Sequence, residues 1–336
     1  MKAIGKVLVA CVVGICVVSA QATVIIDTVP VGNPGNAGEL SGVGAGGVGP
    51  NRVCGAVAYT YNIGKYEVTA GQYAAFLNAV AATDTYGLYN TGMWSETYGC
   101  KIQRSGSSGS YTYSVASDRA NRPVNLISWG DAARFANWMR NGQPTGAQGL
   151  STTEDGSYYL NGATSNAALL AVTRKTNATW AIPTEDEWYK AAYHKNDGVT
   201  GNYWDYPTGT DSVPGRDMTE ATNPGNNANY NGSPFPIDSP YYTTVAGEFQ
   251  LSESPYGTFD QGGNVWEWNE AVDGSFRGVR GGAYEYGVVN LLASDRNILD
   301  FPTNEFCYIG FRVCEVPEPA AIVMLALAGL GILHRR

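Results

Sequence analysis

The stretch Gly262-Gly263-Asn264-Val265-Trp266-Glu267-Trp268 decides how this chain folds. It is turn-rich and aromatic at once. Glycines in such a setting mark positive-φ turns or close backbone approach. The tryptophans read as core, with indole N–H groups bonded to loop carbonyls. Downstream, Arg277-Gly278-Val279-Arg280-Gly281-Gly282-Ala283-Tyr284 follows closely, and Tyr308–Val313 reads as a final core strand. Upstream, three helix starts carry capping boxes. Thr69-Ala70-Gly71-Gln72 precedes Tyr73, Phe76, Leu77 and Val80, spaced i, i+3, i+4, i+7. Ser128-Trp129-Gly130-Asp131, an Asp variant of the box, precedes Phe135, Ala136, Trp138 and Met139. Thr184-Glu185-Asp186-Glu187 follows Pro183 and precedes Trp188, Ala191 and Ala192. In each, the hydroxyl accepts from the N–H three residues on, and Gln72 and Glu187 reach back to the cap. Val53–Tyr66 reads as a strand or hairpin, and Thr23–Gly49, rich in Gly and Pro, as a loop-like lead-in. Gly106–Gly109, Asn141–Gly149 and Asn223–Gly232 read as surface loops. The class is α+β, with short elements, long loops and low regular secondary structure.

With 336 residues the chain is long enough for one large domain with a sizeable core. Its net charge is −9 and only 15% of residues are charged, which argues against a nucleic-acid partner. A hydrophobic share of 44% argues against disorder.

Both ends read as processing segments. Lys2 and Lys6 precede the apolar Val7–Ala20, and Ala20-Gln21-Ala22 is an A-x-A site, so cleavage is expected before Thr23. Leu8-Val9-Ala10-Cys11 also has the form of a lipoprotein box, although the apolar run continues past it. At the other end stand Val316-Pro317-Glu318-Pro319, the apolar Ala320–Leu333 and His334-Arg335-Arg336. That run is shorter than the ~17–25 residues of a comfortable membrane span. The pattern resembles the PEP-CTERM sorting signal. The resemblance implies an exosortase-type processing enzyme as partner, only transient membrane contact through the tail, and delivery to the cell surface or extracellular space. The alternative is a weak permanent tail anchor. The expected organisation is a signal peptide over 1–22, a lead-in over 23–52, a domain over 53–315 and a sorting signal over 316–336. Of six cysteines, Cys54, Cys100, Cys307 and Cys314 remain in the mature chain. Export permits disulfides, and four cysteines allow three pairings. Proximity along the chain favours Cys54–Cys100 and Cys307–Cys314.

In order, Ile63–Thr69, Arg122–Ala132, Ile182–Trp188, Tyr256–Trp268, Arg280–Tyr284 and Ile309–Arg312 resemble the motifs of the formylglycine-generating enzyme, or sulfatase-modifying-factor, family. The resemblance covers nearly the whole mature chain. It implies that family's variant of the C-type-lectin fold. Family oxidases bind copper through two cysteines placed just after the Arg280-Gly281-Gly282 segment, because thiolates select Cu(I). Those places fall at Tyr286 and Leu291, and neither supplies a thiolate. Related iron enzymes need several histidines, and His194 is the only one before the tail. His194 reads as a surface or helix-end residue. No copper or iron centre is expected. The alternative is an oxidase with displaced cysteines, Cys307 and Cys314.

The resemblance also implies structural Ca²⁺, which takes hard oxygen ligands. One site would use Asp260, the carbonyls of Gly263 and Val265, and Glu267. A second would use Asn229, the Tyr230 carbonyl and Asp238. Tyr284, Tyr286, Asn290, Arg296 and Asn297 lie in a Tyr-, Asn- and Asp-rich stretch that, by the resemblance, borders the family's substrate groove. They are candidates for binding a surface glycan or peptide. The expected function is a cell-surface or matrix ligand-binding protein without the catalytic cysteine pair; a purely structural matrix component is the weaker option.

Overall fold

Each of the three capping boxes starts a helix in the computed structural model, which describes residues 23–219, 225–296 and 299–317. The expected signal peptide and all but the first two residues of the expected sorting signal lie outside the described residues. Along the first half run β1 (Thr28–Val31), β2 (Glu39–Ser41), β3 (Arg52–Cys54), β4 (Tyr61–Gly64), α1 (Ala70–Val80), α2 (Gly92–Ser95), β5 (Ile102–Ser105), β6 (Thr112–Val115) and α3 (Trp129–Arg140). The second half holds α4 (Asn166–Ala171), β7 (Trp180–Ala181), α5 (Glu185–Tyr193), β8 (Trp266–Asp273), β9 (Phe276–Arg280), β10 (Leu299–Asp300), β11 (Ile309–Gly310) and β12 (Cys314–Glu315).

All three boxes close in both directions: Thr69 with Gln72, Ser128 with Asp131 and Thr184 with Glu187. The shorter Asp131 side chain also reaches back, accepting from the Ser128 N–H at 3.0 Å. Such a cap stabilises a helix start by about 1 kcal/mol. The apolar stripe Tyr73, Phe76, Leu77 and Val80 is buried on α1 as its spacing requires. α3 differs, being buried on every side from Trp129 to Met139. Its polar residues are therefore matched internally. Arg134 pairs with Glu154 at 2.7 Å, and Asn137 Nδ2 donates to the carbonyls of Thr153 and Tyr158.

Two four-stranded sheets frame the core. One has the order β1-β4-β12-β7, the other β10-β9-β8-β11. The segment expected as one closing strand is divided between them. Ile309 pairs in parallel with Trp266, and five residues later Cys314 pairs antiparallel with both Ile63 and Ala181. Arg312, fully buried, sits between the two pairings. The lead-in is also corrected. Its Gly and Pro residues separate short strands: β1 forms an edge of the first sheet, where Pro30 is tolerated, and β2 pairs with β3. β3 and β4 are thus not a hairpin; each has another partner.

Aromatic side chains fill the space between α1, α3 and the sheets. Phe135 meets Phe76 at 5.3 Å and Phe311 at 5.4 Å. The Trp129, Trp138 and Trp268 indoles donate to the carbonyls of Asn269, Pro144 and Ile127. Trp188 donates to the Glu267 carboxylate instead, and the buried Trp266 Nε1 has no partner. Gly263 has φ +83°, and a Cβ there would lie 2.1 Å from the Asn229 carbonyl oxygen. That contact is the close backbone approach its sequence context predicts. Cys54, Cys100, Cys307 and Cys314 are all free, so neither expected pairing forms. His194 caps the end of α5 but is buried, not on the surface. Its Nδ1 meets the Tyr256 hydroxyl at 2.8 Å. Among the described residues, no helix is long and apolar enough to cross a membrane.

Candidate functional site

The loop after β9 turns at Gly281 and Gly282, both with positive φ. The Tyr284 N–H then donates to the Asn264 carbonyl, and Tyr286 N–H to Ala283. This anchoring sets Tyr286 between Trp266, at 5.4 Å, and Tyr308, at 5.3 Å. Phe306 stacks on Tyr308. Tyr284 lies on the other side of Cys307 and donates its hydroxyl to the Cys307 sulfur at 3.5 Å. Its ring adjoins Tyr242 and Tyr98, which meet edge to face at 4.3 Å. Asn125 ties the two groups together, donating to the carbonyls of Tyr98 and Cys307 and accepting from the Cys100 N–H. Tyr98, Phe235 and Phe306 are exposed, while Tyr242, Tyr286 and Tyr308 are half-buried. Burial pushes the Cys307 thiol up, and Glu285 and Glu96 push it further.

The two positions that the resemblance assigns to cysteines, Tyr286 and Leu291, carry no sulfur. Leu291 is fully buried in a small cluster with Tyr206 and Ala228. A Cβ on Gly282 would lie 2.8 Å from its Cδ1. Cys314 occupies another environment, with its sulfur near the Ala181 carbonyl and the Glu187 carboxylate.

Arg296 is a correction. It is turned inward, and Nε and Nη2 donate to the two oxygens of Glu185 at 2.7 and 3.0 Å. Arg280 and Arg52 converge on the same carboxylate. Burial alone would raise the Glu185 carboxyl, but the guanidinium groups of Arg280, Arg296 and Arg52 hold it well below the usual range. Arg296 thus fastens the loop rather than offering itself to a ligand. Of the other candidates, Tyr284 is buried, with its hydroxyl on the Cys307 sulfur and its ring against Tyr98 and Tyr242. Tyr286 is half-buried within the aromatic group, and Asn290 donates to Asp295. Asn297 lies outside the described residues.

In the first expected calcium set, both Glu267 oxygens accept from Arg312, each at 2.6 Å. Asp260 accepts from the Gly247 N–H. Asp238 pairs with Arg122 at 2.6 Å, and the Asn229 amide donates to the Tyr242 carbonyl. Beside the first set lies a residue the sequence did not single out for this role. Glu67 accepts from Asn264 through Oε1, while Oε2 has no partner. Burial, then Asp260 and Glu267, raise its carboxyl well above the usual range.

Loop 301–307 is held over the start of α3 by a second acid contact. The Glu305 carboxyl hydrogen-bonds the Asp131 carboxyl, with Asn90 donating to Glu305 and Asp84 nearby. Arg134 is the cation acting on Asp131. Burial, then Asp131, raises Glu305 to about 8. The native state therefore keeps a proton that the unfolded chain loses. This stability is complete below the unfolded carboxylate range and is lost as pH rises towards 8. Glu305→Gln, which carries its donor at every pH, is expected to lose less stability than the wild type between pH 7 and 8. The difference should be about 1–2 °C in thermal midpoint. An equal slope in both proteins would refute the shared proton. His194, which burial lowers, affects stability only below its unfolded value of about 6.5, outside this window.

The family model of the sulfatase-modifying factor enzyme 1-like domain matches residues 49–316. The chain belongs to that family. Its structure is similar to Treponema denticola variable protein 1, at 18% identity and TM-score 0.54, covering 89% of this chain and 98% of that one. It is also similar to CarF, at 19% identity and TM-score 0.50, covering 88% and 99%. PvdO from Pseudomonas aeruginosa aligns at 16% identity and TM-score 0.47 over 87% and 92%. No curated protein sequence matches the chain.

Proposed function

We propose that this chain is an exported, non-catalytic member of the family that binds a ligand at the aromatic face formed by Tyr98, Tyr242, Tyr286 and Tyr308. One observation carries the reading. Where the family's oxidases would hold two thiolates, Tyr286 is wedged between rings and Leu291 is sealed in apolar contacts. The displaced-cysteine alternative needs a second thiol beside Cys307, which lies in a turn, whereas Cys314 pairs within β12 with its sulfur near the Ala181 carbonyl. Partly exposed aromatic rings on loops anchored to a rigid base suit recognition. Delivery to the cell surface follows from the terminal segments.

The test uses the mature chain secreted by its own signals. Glycan and peptide arrays should give binding that Tyr286→Ala abolishes while the thermal midpoint is kept. A cysteine-containing peptide incubated with copper and oxygen should stay unoxidised. Conversion of that cysteine to an aldehyde, lost on Cys307→Ser, would replace this reading by the oxidase one. Mass spectrometry should find Thr23 at the amino terminus and the segment after Pro317 removed.

A further inference from the structure

We infer that Asn231 is a self-modification site: in the folded chain its side chain closes onto the Gly232 nitrogen and deamidates ahead of the other Asn-Gly pairs. The inference does not depend on the ligand-binding reading.

The sequence holds three such pairs, at Asn141-Gly142, Asn161-Gly162 and Asn231-Gly232. Glycine has no Cβ, so the backbone nitrogen after the asparagine is open to approach. The reaction needs that nitrogen free. It gives its proton to solvent and attacks the asparagine Cγ. The new N–C bond forms, the bond from Cγ to the amide nitrogen breaks, and ammonia leaves with a proton taken back from solvent. Solvent water then opens the succinimide at either carbonyl, leaving aspartate or isoaspartate. No oxidant or reductant enters.

Two of the pairs have this nitrogen tied. The Gly142 N–H donates to the Met139 carbonyl at 3.1 Å. Asn141 itself caps the end of α3, and its amide donates to the carbonyls of Thr152 and Asp155. The Gly162 N–H donates to Glu154 Oε2 at 2.7 Å, on a carboxylate that Arg134 also holds. A nitrogen bonded in this way attacks only after its bond opens. Asn231-Gly232 is different. Among the described residues, the Gly232 N–H donates to no acceptor. Asn231 is exposed, so water reaches the ring that forms. Its Nδ2 donates to the Glu285 carbonyl at 3.0 Å, and that bond is itself exposed.

The position gives the modification a consequence. The Asn231 backbone N–H donates to the Tyr286 carbonyl at 2.8 Å, so this residue fastens the loop at 285 and 286 through two bonds. An ionised acid at 231 offers no donor to the Glu285 carbonyl, and acceptor then faces acceptor. Isoaspartate also adds a carbon to the main chain. Both products loosen the loop that carries Tyr286.

The mature chain is incubated at mildly alkaline pH, folded and in urea, and peptide mapping follows the amide-to-acid mass shift and isoaspartate at each pair. In the folded chain Asn231 is expected to convert at least about fivefold faster than Asn141 or Asn161, a ratio that one hydrogen bond on the attacking nitrogen supports. In urea the three rates should converge. Conversion of Asn141 or Asn161 as fast as Asn231 in the folded chain overturns the inference. So does a folded chain in which Asn231 stays intact while the chain in urea converts. Asn231→Asp carries the charge of one product from the start, and hydrogen exchange over residues 284–286 should rise several-fold in it. Unchanged protection there overturns the loosening of the loop.

Discussion

An Arg312→Met variant is expected to lose about 3–5 kcal/mol of folding stability, because it leaves a buried charge without its partner. Arg312 is fully buried and grips both oxygens of Glu267 at 2.6 Å. It also donates to the carbonyls of Gly64 and Phe259, so one side chain joins β4, β8 and the segment between them. Glu67 and Asp260 are the next carboxylates in the cluster, and burial already raises both. Without the guanidinium, the buried Glu67 and Glu267 and the half-buried Asp260 lose the cation that binds them. Urea unfolding at pH 7 measures the loss. Arg312→Met combined with Glu267→Leu should recover part of it, since removing both charges removes the desolvation penalty. An Arg312→Met midpoint equivalent to within about 1 kcal/mol of the wild type would show that the cluster is neutralised some other way.

Glu185→Gln is the second substitution with a large expected effect. Arg280 and Arg296 are buried, and both lie within hydrogen-bonding distance of Glu185, with Arg52 at the margin. A neutral amide leaves two buried guanidinium groups without a carboxylate, again at a cost of about 3–5 kcal/mol. The location of the damage should differ from that of Arg312→Met. Arg296 and Arg280 donate to the carbonyls of Pro50, Ala293 and Asp295, so this clasp joins the lead-in to the loop carrying Tyr284 and Tyr286. Hydrogen exchange in Glu185→Gln is therefore expected to rise first over residues 284–296. Ligand binding should weaken at temperatures where the rest of the domain is still folded. Uniform loss of protection across the whole chain would contradict a local clasp.

The helix starts were legible because a capping box is a local code: Thr69, Ser128 and Thr184 find their partners three residues away. The roles of Trp129, Trp188 and Trp268 as core were legible for a related reason, since large aromatic surface must be buried wherever the chain places it. The strands of the lead-in were not legible. A four-residue strand such as Thr28–Val31 is defined by its partner, Tyr61–Gly64, more than by its own residues. The closing segment was misread as one strand because nothing between Ile309 and Cys314 signals that the chain leaves one sheet for another.

The candidate site divides along the same line. Tyr284 and Tyr286 were visible as part of a Tyr- and Asn-rich stretch, but Tyr98, Tyr242 and Phe235 were not, because they reach the face from loops far away in the chain. Membership of the family, the three helices and the absence of sulfur at 286 and 291 could be read from the residues alone, because each depends on residue identity or near neighbours. Which charges face which depended on the folded arrangement, which no local pattern reveals. It turned Arg296 inward to Glu185 and placed Arg312 against Glu267. Long-range ion pairs are chosen by burial and geometry, and residue type alone carries neither.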